Sequence, residues 1–336
     1  MNDDLDELFN EKNLNKAIKK GKLKSTIRTV IISLVVTIIV ITIGSYFNTK
    51  ISIKMSEQEF KDNQEFIKLT VPNGYISQST DNICFLGGKG TYRVSKTVGY
   101  KSVVVAERQS IFGYSLSSPI LKFLGYSPNF PLTRGAGGYS GPNMQDGWSV
   151  NYSENGYRSM MFFHPEISYK GYRDDLSNLD KISDDMLIEL AISFNKPYKD
   201  YEIQSFLGDK VNISWYWLDA FTNEDMKAHR QLAKISDVNC AYIPEYNAIG
   251  INVNPQHFQT GYTELMELLK NTKLERYKVM YKDMMANGFK DYKVYKDYSD
   301  VPVLGAIVYG TKSELKVLIG NPAIKASSFG VIISKY

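Results

Sequence analysis

Only two of the 336 residues are cysteine and only three are histidine. Cys84 and Cys240 are too few for a disulfide scaffold and too far apart for a zinc motif, so they are either one long-range bridge or two separate thiols. His164, His229 and His257 are scattered, with no HExxH and no nearby cysteine pair to complete a metal set. Net charge is equally small. Lys and Arg number 40 against 36 Asp and Glu, which leaves +4, too little for a dedicated nucleic-acid binder. Aromatic residues are not scarce: Tyr 24, Phe 16 and Trp 3 are more than a disordered chain carries, and the length suits two or three globular domains.

Charge is missing altogether from one place. Thr29 to Phe47 reads TVIISLVVTIIVITIGSYF, with no charged residue between Arg28 and Lys50 and no proline. Nineteen helical residues rise roughly 28 Å, close to the roughly 30 Å hydrocarbon core of a bilayer. Twelve of them are Val, Ile, Leu or Phe. At about −0.3 to −0.6 kcal/mol each they favour insertion by roughly 4 to 7 kcal/mol, only partly offset by the Thr, Ser and Gly residues. A buried core helix of this length would show a polar stripe, and a cleaved signal peptide would end in small residues, unlike Gly44-Ser45-Tyr46-Phe47-Asn48. The reading is a single transmembrane helix in the lipid bilayer. Lys16, Lys19, Lys20, Lys22, Lys24 and Arg28 precede it, and only Lys50 and Lys54 follow closely, so the amino end is expected in the cytoplasm and the remainder outside.

This divides the chain into a cytoplasmic tail (1–28), the span (29–47), a membrane-proximal external domain (48–150) and a C-terminal external domain (151–336). The tail holds five acids before Lys12 and seven bases from Lys12 onward. Leu5, Leu8 and Phe9 share one helical face, and Leu14, Ala17 and Ile18 share another roughly opposite. A break near residues 10–15, or a partner clasping both sides, would reconcile the two. Leu5, Leu8, Phe9, Leu14 and Ile18 are thus candidates for docking a cytoplasmic protein. The competing reading is that the bases set topology against anionic lipid and the apolar residues are incidental.

Outside, Ser56-Glu57-Gln58-Glu59 fits a capping box opening a helix that Val71-Pro72-Asn73-Gly74 stops. Short strand-like runs follow at 74–76, 83–86, 91–94 and 102–105, and then a Pro/Gly/Ser/Asn-rich stretch from Pro119 to Gly147. Further on, Met186 to Asn195 and Val211 to Trp217 alternate with period two and predict strands. Helices are expected within 197–207, after a Thr222 cap, over 263–287 as one or two, and after the Thr311 to Glu314 capping box. Strands are expected at 303–309 and near the C-terminus. Strands and helices mixed without a βαβ rhythm give an α+β fold.

The search for chemistry finds little. Gly87-Gly88-Lys89-Gly90 lacks P-loop spacing and reads as a turn; His164 reads as a surface histidine. Asp174-Asp175 and Asp184-Asp185 read as solvated turns and caps. Trp215 and Trp217 face one side of their strand and read as core. No G-x-S-x-G occurs. No enzyme activity, metal or cofactor is expected.

The tail segment Leu14-Asn-Lys-Ala17-Ile-Lys19-Lys20-Gly-Lys22 runs straight into the span. With Glu189-Leu-Ala-Ile-Ser-Phe-Asn-Lys-Pro-Tyr198, Val211-Asn-Ile-Ser-Trp-Tyr-Trp217 and Gly305-Ala-Ile-Val-Tyr-Gly-Thr-Lys-Ser-Glu-Leu315, it resembles the membrane-bound anti-sigma factors of low-GC Gram-positive bacteria. That family is built from a sigma-factor-regulator N-terminal and C-terminal domain. The resemblance implies a tail that holds an extracytoplasmic-function sigma factor, often with a small membrane partner protein, without direct nucleic-acid contact, and an external domain that responds to envelope state. It carries over no catalytic residue. The tail is shorter than the helical sigma-binding domain of other anti-sigma factors and has no His or Cys for the zinc form. The reading from another class is a membrane-anchored external binding or assembly module with no role in transcription.

Overall fold

A computed structural model describes residues 11–113, 143–145, 147–153, 155–208, 210–235, 241–253, 258–286 and 301–336. Among these the chain divides into two compact units. One comprises the long N-terminal helix up to Glu57 with Asn82–Lys89 and the stretch from Ile111; the other comprises Gln58–Asp81, Gly90–Ser110 and the C-terminal part through Tyr336.

Helix α1 covers Glu11–Thr70 without interruption, 60 residues and about 90 Å of helical rise. The break expected at Ser56 is absent. Ser56 is a buried interior residue of the helix, and the capping-box pattern there opens nothing. No proline intervenes between the span and Ser56, and Gly44 alone is too weak a breaker to stop a helix. Just beyond the span, in the first unit, α1 grips the turn that joins β1 (Gly74–Cys84) to β2 (Gly87–Val98). Asn48 donates to the Cys84 carbonyl at 3.1 Å and accepts from the Leu86 N–H at 2.6 Å. Ser52 donates to the same carbonyl at 3.3 Å and accepts from the Gly87 N–H at 3.0 Å. The polar groups of a tight turn are satisfied in this way, which supports Leu86 in the left-handed region at φ 52°.

Strand β3 (Lys101–Gly113) completes a three-stranded sheet in the order β1-β2-β3. Each neighbour is reached through a two-residue connection, so the pairs are antiparallel. The strands are much longer than their apolar runs. In addition, Gly87-Gly88-Lys89-Gly90 begins β2 and is not itself the turn. A Cβ at Gly87 or Gly88 would strike the carbonyl of Phe112 or Asn82, so two strands pass too close here for a side chain.

Two short antiparallel pairs follow, β4 (Asn143–Gln145) with β5 (Trp148–Val150) and β6 (Met161–Phe162) with β9 (Ile243–Pro244). The larger sheet has the order β10-β8-β11-β7-β12: Gly250–Asn252, Asn212–Leu218, Val303–Gly310, Met186–Tyr198 and Ile324–Ser334, every pair antiparallel. Its helical face carries Ile188, Leu190, Ile192 and Phe194 of β7. Covering them are α2 (Asp200–Leu207), α4 (Phe258–Asn271) and α5 (Glu275–Ala286), through Ile203, Leu207, Tyr262, Met266, Leu269 and Met280. The 263–287 region is therefore two helices. Thr222 caps α3 (Asn223–Ile235), accepting the Asp225 N–H at 3.1 Å while the Asp225 carboxylate accepts from the Thr222 N–H at 3.3 Å. The Thr311–Glu314 box closes likewise ahead of α6 (Lys312–Leu315).

The second face of this sheet is also buried. Trp215 and Trp217 lie there with Met160, Phe162, Ala191, Ile243 and Ile307, and the Phe162 ring is 5.1 Å from Trp217 and 5.9 Å from Trp215. Core packing of both tryptophans is borne out. Trp217 pairs in register with Gly250 on one side and Gly305 on the other. A Cβ at Gly305 would press into the Ile192 carbonyl and approach Trp217 to 3.2 Å. The Trp217 indole lies against the room that Gly305 leaves, while a Cβ at Gly250 would run into the Tyr216 carbonyl and the Trp215 indole.

His164 follows Phe162-Phe163 into this aromatic layer and is fully buried, contrary to the surface position expected. Its Nδ1 accepts the Glu166 N–H at 3.2 Å, its Nε2 is 3.5 Å from Asp219, and its ring meets Trp217 and Phe221 edge-on. Burial in aromatic surroundings accounts for it without a ligand. Asp184 is exposed, as a solvated turn residue should be, and bonds Lys312 at 2.6 Å. Asp175 departs from that reading: it is buried between two arginines.

Candidate functional site

Of the five apolar tail residues, Leu5, Leu8 and Phe9 lie outside the described residues. Leu14 and Ile18 stand on α1, one turn apart and each 47% exposed. With a spacing of four they share a face, flanked by Lys16, Lys19, Lys20 and Lys22. Two exposed aliphatic side chains on a lysine-rich helix can seat against an apolar groove rimmed by acids, or against a membrane surface. The same helix then exposes Val30, Ile31, Ile32, Leu34, Val35 and their successors through Phe47. Among the described residues this is one helix long and apolar enough to cross a membrane, and its most apolar window is entirely unburied. A core helix would have that surface covered.

The second feature of note is a buried charge group that sequence reasoning missed. Lys96 on β2 and Glu189 on β7 meet at 2.9 Å, with 2% and 1% of their side chains exposed, and Glu245 lies 3.9 Å from the same ammonium. Burial opposes the charge on Lys96, but Glu189 and Glu245 outweigh it and hold the ammonium above the usual lysine range. Burial also pushes the Glu189 carboxyl up, with Lys96 pulling against it. Glu189 Oε2 accepts the Val331 N–H at 3.0 Å, and Glu245 Oε2 accepts the Met160 N–H at 2.9 Å. Neighbouring apolar contacts of Val98 and Val103 with Leu187 and Val331 close the same seam. The only hint in the sequence was Glu189 at a position of β7 that alternates with apolar residues; nothing pointed to Lys96 as its partner.

No group of three or more metal-ligating side chains occurs among the described residues. Cys84 is at the end of β1, while Cys240 and His257 lie outside the described residues, so their pairing or ligation has no structural account here. Among the described residues the arrangement is that of a membrane protein with one exposed apolar helix long enough to span, continuous with a basic lead segment and joined to an α+β region.

Comparison with known families specifies the class further. A family described as Sigma factor regulator N-terminal matches residues 15–103, and one described as Sigma factor regulator C-terminal matches residues 179–331. The chain belongs to the sigma factor regulator family and is a membrane anti-sigma factor. No curated protein and no solved structure matched it. The N-terminal match runs through Ile18, the span and Lys96 and begins one residue after Leu14; the C-terminal match contains Glu189 and both tryptophans.

Proposed function

We propose that the tail of this protein sequesters an extracytoplasmic-function sigma factor at the cytoplasmic face of the membrane, and that the region after the span lies outside and responds to envelope state. The observation that carries this reading is helix α1. It presents Leu14 and Ile18 bare on a basic surface and continues unbroken into the uncharged span. A partner protein covering that pair would bury apolar area worth about 1.5 to 3 kcal/mol per side chain. Leu5, Leu8 and Phe9 extend the docking surface, and a small membrane partner protein supplies further contacts.

Orientation follows from six bases before the span against two soon after it. In this reading residues 48–150 form a membrane-proximal external domain and 151–336 an external sensing domain, as in low-GC Gram-positive bacteria. The role is regulatory and no catalytic step is assigned.

Co-purification of the sigma factor encoded beside the gene, with the full chain and with a chain lacking residues 1–28, tests the docking. Recovery with the full chain only is expected, and the double variant Leu14→Asp, Ile18→Asp should lose most of it. Equal recovery from all three would sink the claim. Protease shaving of intact cells tests the orientation, since cleavage must fall after the span.

A further inference from the structure

The two-residue turn between β1 and β2 is Phe85-Leu86. Hairpin turns of this length that face water favour Asn-Gly or Asp-Gly, whose backbones enter the left-handed region easily and whose polar groups meet solvent. Here Leu86 takes that conformation at φ 52°, where a branched side chain is disfavoured, and Phe85 stands 50% exposed. Ile83 beside it is exposed as well, and no charged residue occurs from Asn82 to Gly88. Such a turn is poorly matched to water.

Its place on α1 says what covers it. Asn48 is the first residue after Phe47, where the uncharged span ends, and it holds both the Cys84 carbonyl and the Leu86 N–H. Ser52, one helical turn further on, reaches the same carbonyl and holds the Gly87 N–H. Strand β2 therefore leaves the turn in the direction of Ser52, away from the span, and the Phe85-Leu86 apex lies on the span side. Side chains of a helix lean toward its N-terminus, which carries the Asn48 amide the same way. From Phe47 to Ser52 the helix rises about 7.5 Å, while the headgroup layer beyond each side of the hydrocarbon core is about 5 to 7.5 Å deep. The turn is thus held at the depth of lipid headgroups. The helix surface at this level suits that depth: Tyr46 and Phe47 are exposed, and the Lys50 ammonium lies 5.8 Å from the Tyr46 ring centre. Aromatic and basic side chains of this kind anchor a span at its interface.

We propose that the β1–β2 turn inserts Phe85 and Ile83 into the headgroup–acyl boundary of the bilayer that α1 spans, so that the hairpin is a second membrane contact of this protein. Its four hydrogen bonds to Asn48 and Ser52 fix the depth of the turn relative to the span. The contact is the same on either face of the membrane; it rests on the span and not on the sigma-factor reading or on the orientation.

The test uses the full chain in vesicles of phosphatidylcholine and phosphatidylglycerol, in a Cys84→Ser, Cys240→Ser background, with a nitroxide attached at Phe85→Cys, Ile83→Cys or, within the span, Val40→Cys. It is the carbonyl of Cys84 that α1 grips, so Cys84→Ser keeps the attachment. Collisions of the nitroxide with oxygen, which concentrates in lipid, are compared with those of a water-soluble nickel chelate. Oxygen is expected to dominate at positions 85 and 83 as it does at 40, and adding Phe85→Glu to the chain labelled at 83 should raise nickel collisions there severalfold. Nickel dominance at 85 and 83 with oxygen dominance at 40 overturns the proposal and leaves the span intact. Nickel dominance at all three overturns both, and oxygen dominance at 83 that Phe85→Glu leaves unchanged overturns the insertion of Phe85.

Discussion

Lys96 and Glu189 form an ion pair 2.9 Å long with almost no access to solvent, joining strand β2 to strand β7 of the larger sheet. The first lies in the segment matched by the N-terminal family and the second in that matched by the C-terminal one. Such a pair need not stabilise the fold relative to apolar residues of the same volume, because dehydrating both charges costs about as much as their attraction returns. Losing one partner is different. Lys96→Met leaves Glu189 and Glu245 facing each other in the interior and should destabilise by about 3 to 5 kcal/mol. The double variant Lys96→Met, Glu189→Leu should recover much of that loss. Urea unfolding of the four proteins of this cycle decides it, and additive losses would mean the pair is not coupled.

Trp217 between Gly250 and Gly305 gives a second expectation. Gly305→Ala forces a methyl group into the Ile192 carbonyl and against the indole, an overpacking that costs about 1 to 3 kcal/mol. Tryptophan fluorescence of the folded state should shift together with stability. An unfolding midpoint matching the wild type would show that β11 moves aside freely.

The grip of α1 on the β1–β2 turn yields a third. Ser52→Ala removes the acceptor for the Gly87 N–H, and Asn48→Ala removes that for the Leu86 N–H. Each loss should cost about 1 kcal/mol. Hydrogen exchange provides the sharper reading: the Gly87 amide should be protected in the wild type and exchange faster in Ser52→Ala. Unchanged protection would mean the turn holds itself.

These features differ in how far the sequence reveals them. The span was legible because nineteen consecutive uncharged and mostly aliphatic residues suit a bilayer far better than a water-facing helix. The core position of Trp215 and Trp217 followed from period-two spacing alone. The continuity of α1 was hidden because a four-residue capping pattern suggested a start where the chain already had a reason to stay helical. Lys96 was invisible, and Asp175 was read as a solvated turn residue, on a different ground. An isolated charge in a polar stretch has solvent as its default environment, and only long-range pairing, 93 residues apart for Lys96 and Glu189, makes its burial tolerable. His164 went the same way, its aromatic neighbours Trp217 and Phe221 lying far along the chain.

His229 supplies the dependence on pH. It is half-buried on α3 with its ring 5.5 Å from Phe221. Burial lowers its pKa from the ordinary value of 6.5; Asp225 opposes this, and nearby His164 and Arg276 add to the lowering. Above that ordinary value the imidazole is neutral in the folded and unfolded chain alike, and its contribution to stability is fully present. As pH falls below it, the unfolded chain takes up a proton that the folded one resists, so stability is lost until the folded histidine titrates as well. The wild-type unfolding temperature should therefore fall between about pH 7.5 and pH 5.5. In His229→Gln the fall should be shallower, since the substitution removes the titrating group while keeping a polar side chain of comparable length. Parallel profiles for the two proteins would assign the dependence to other groups and remove His229 as its source.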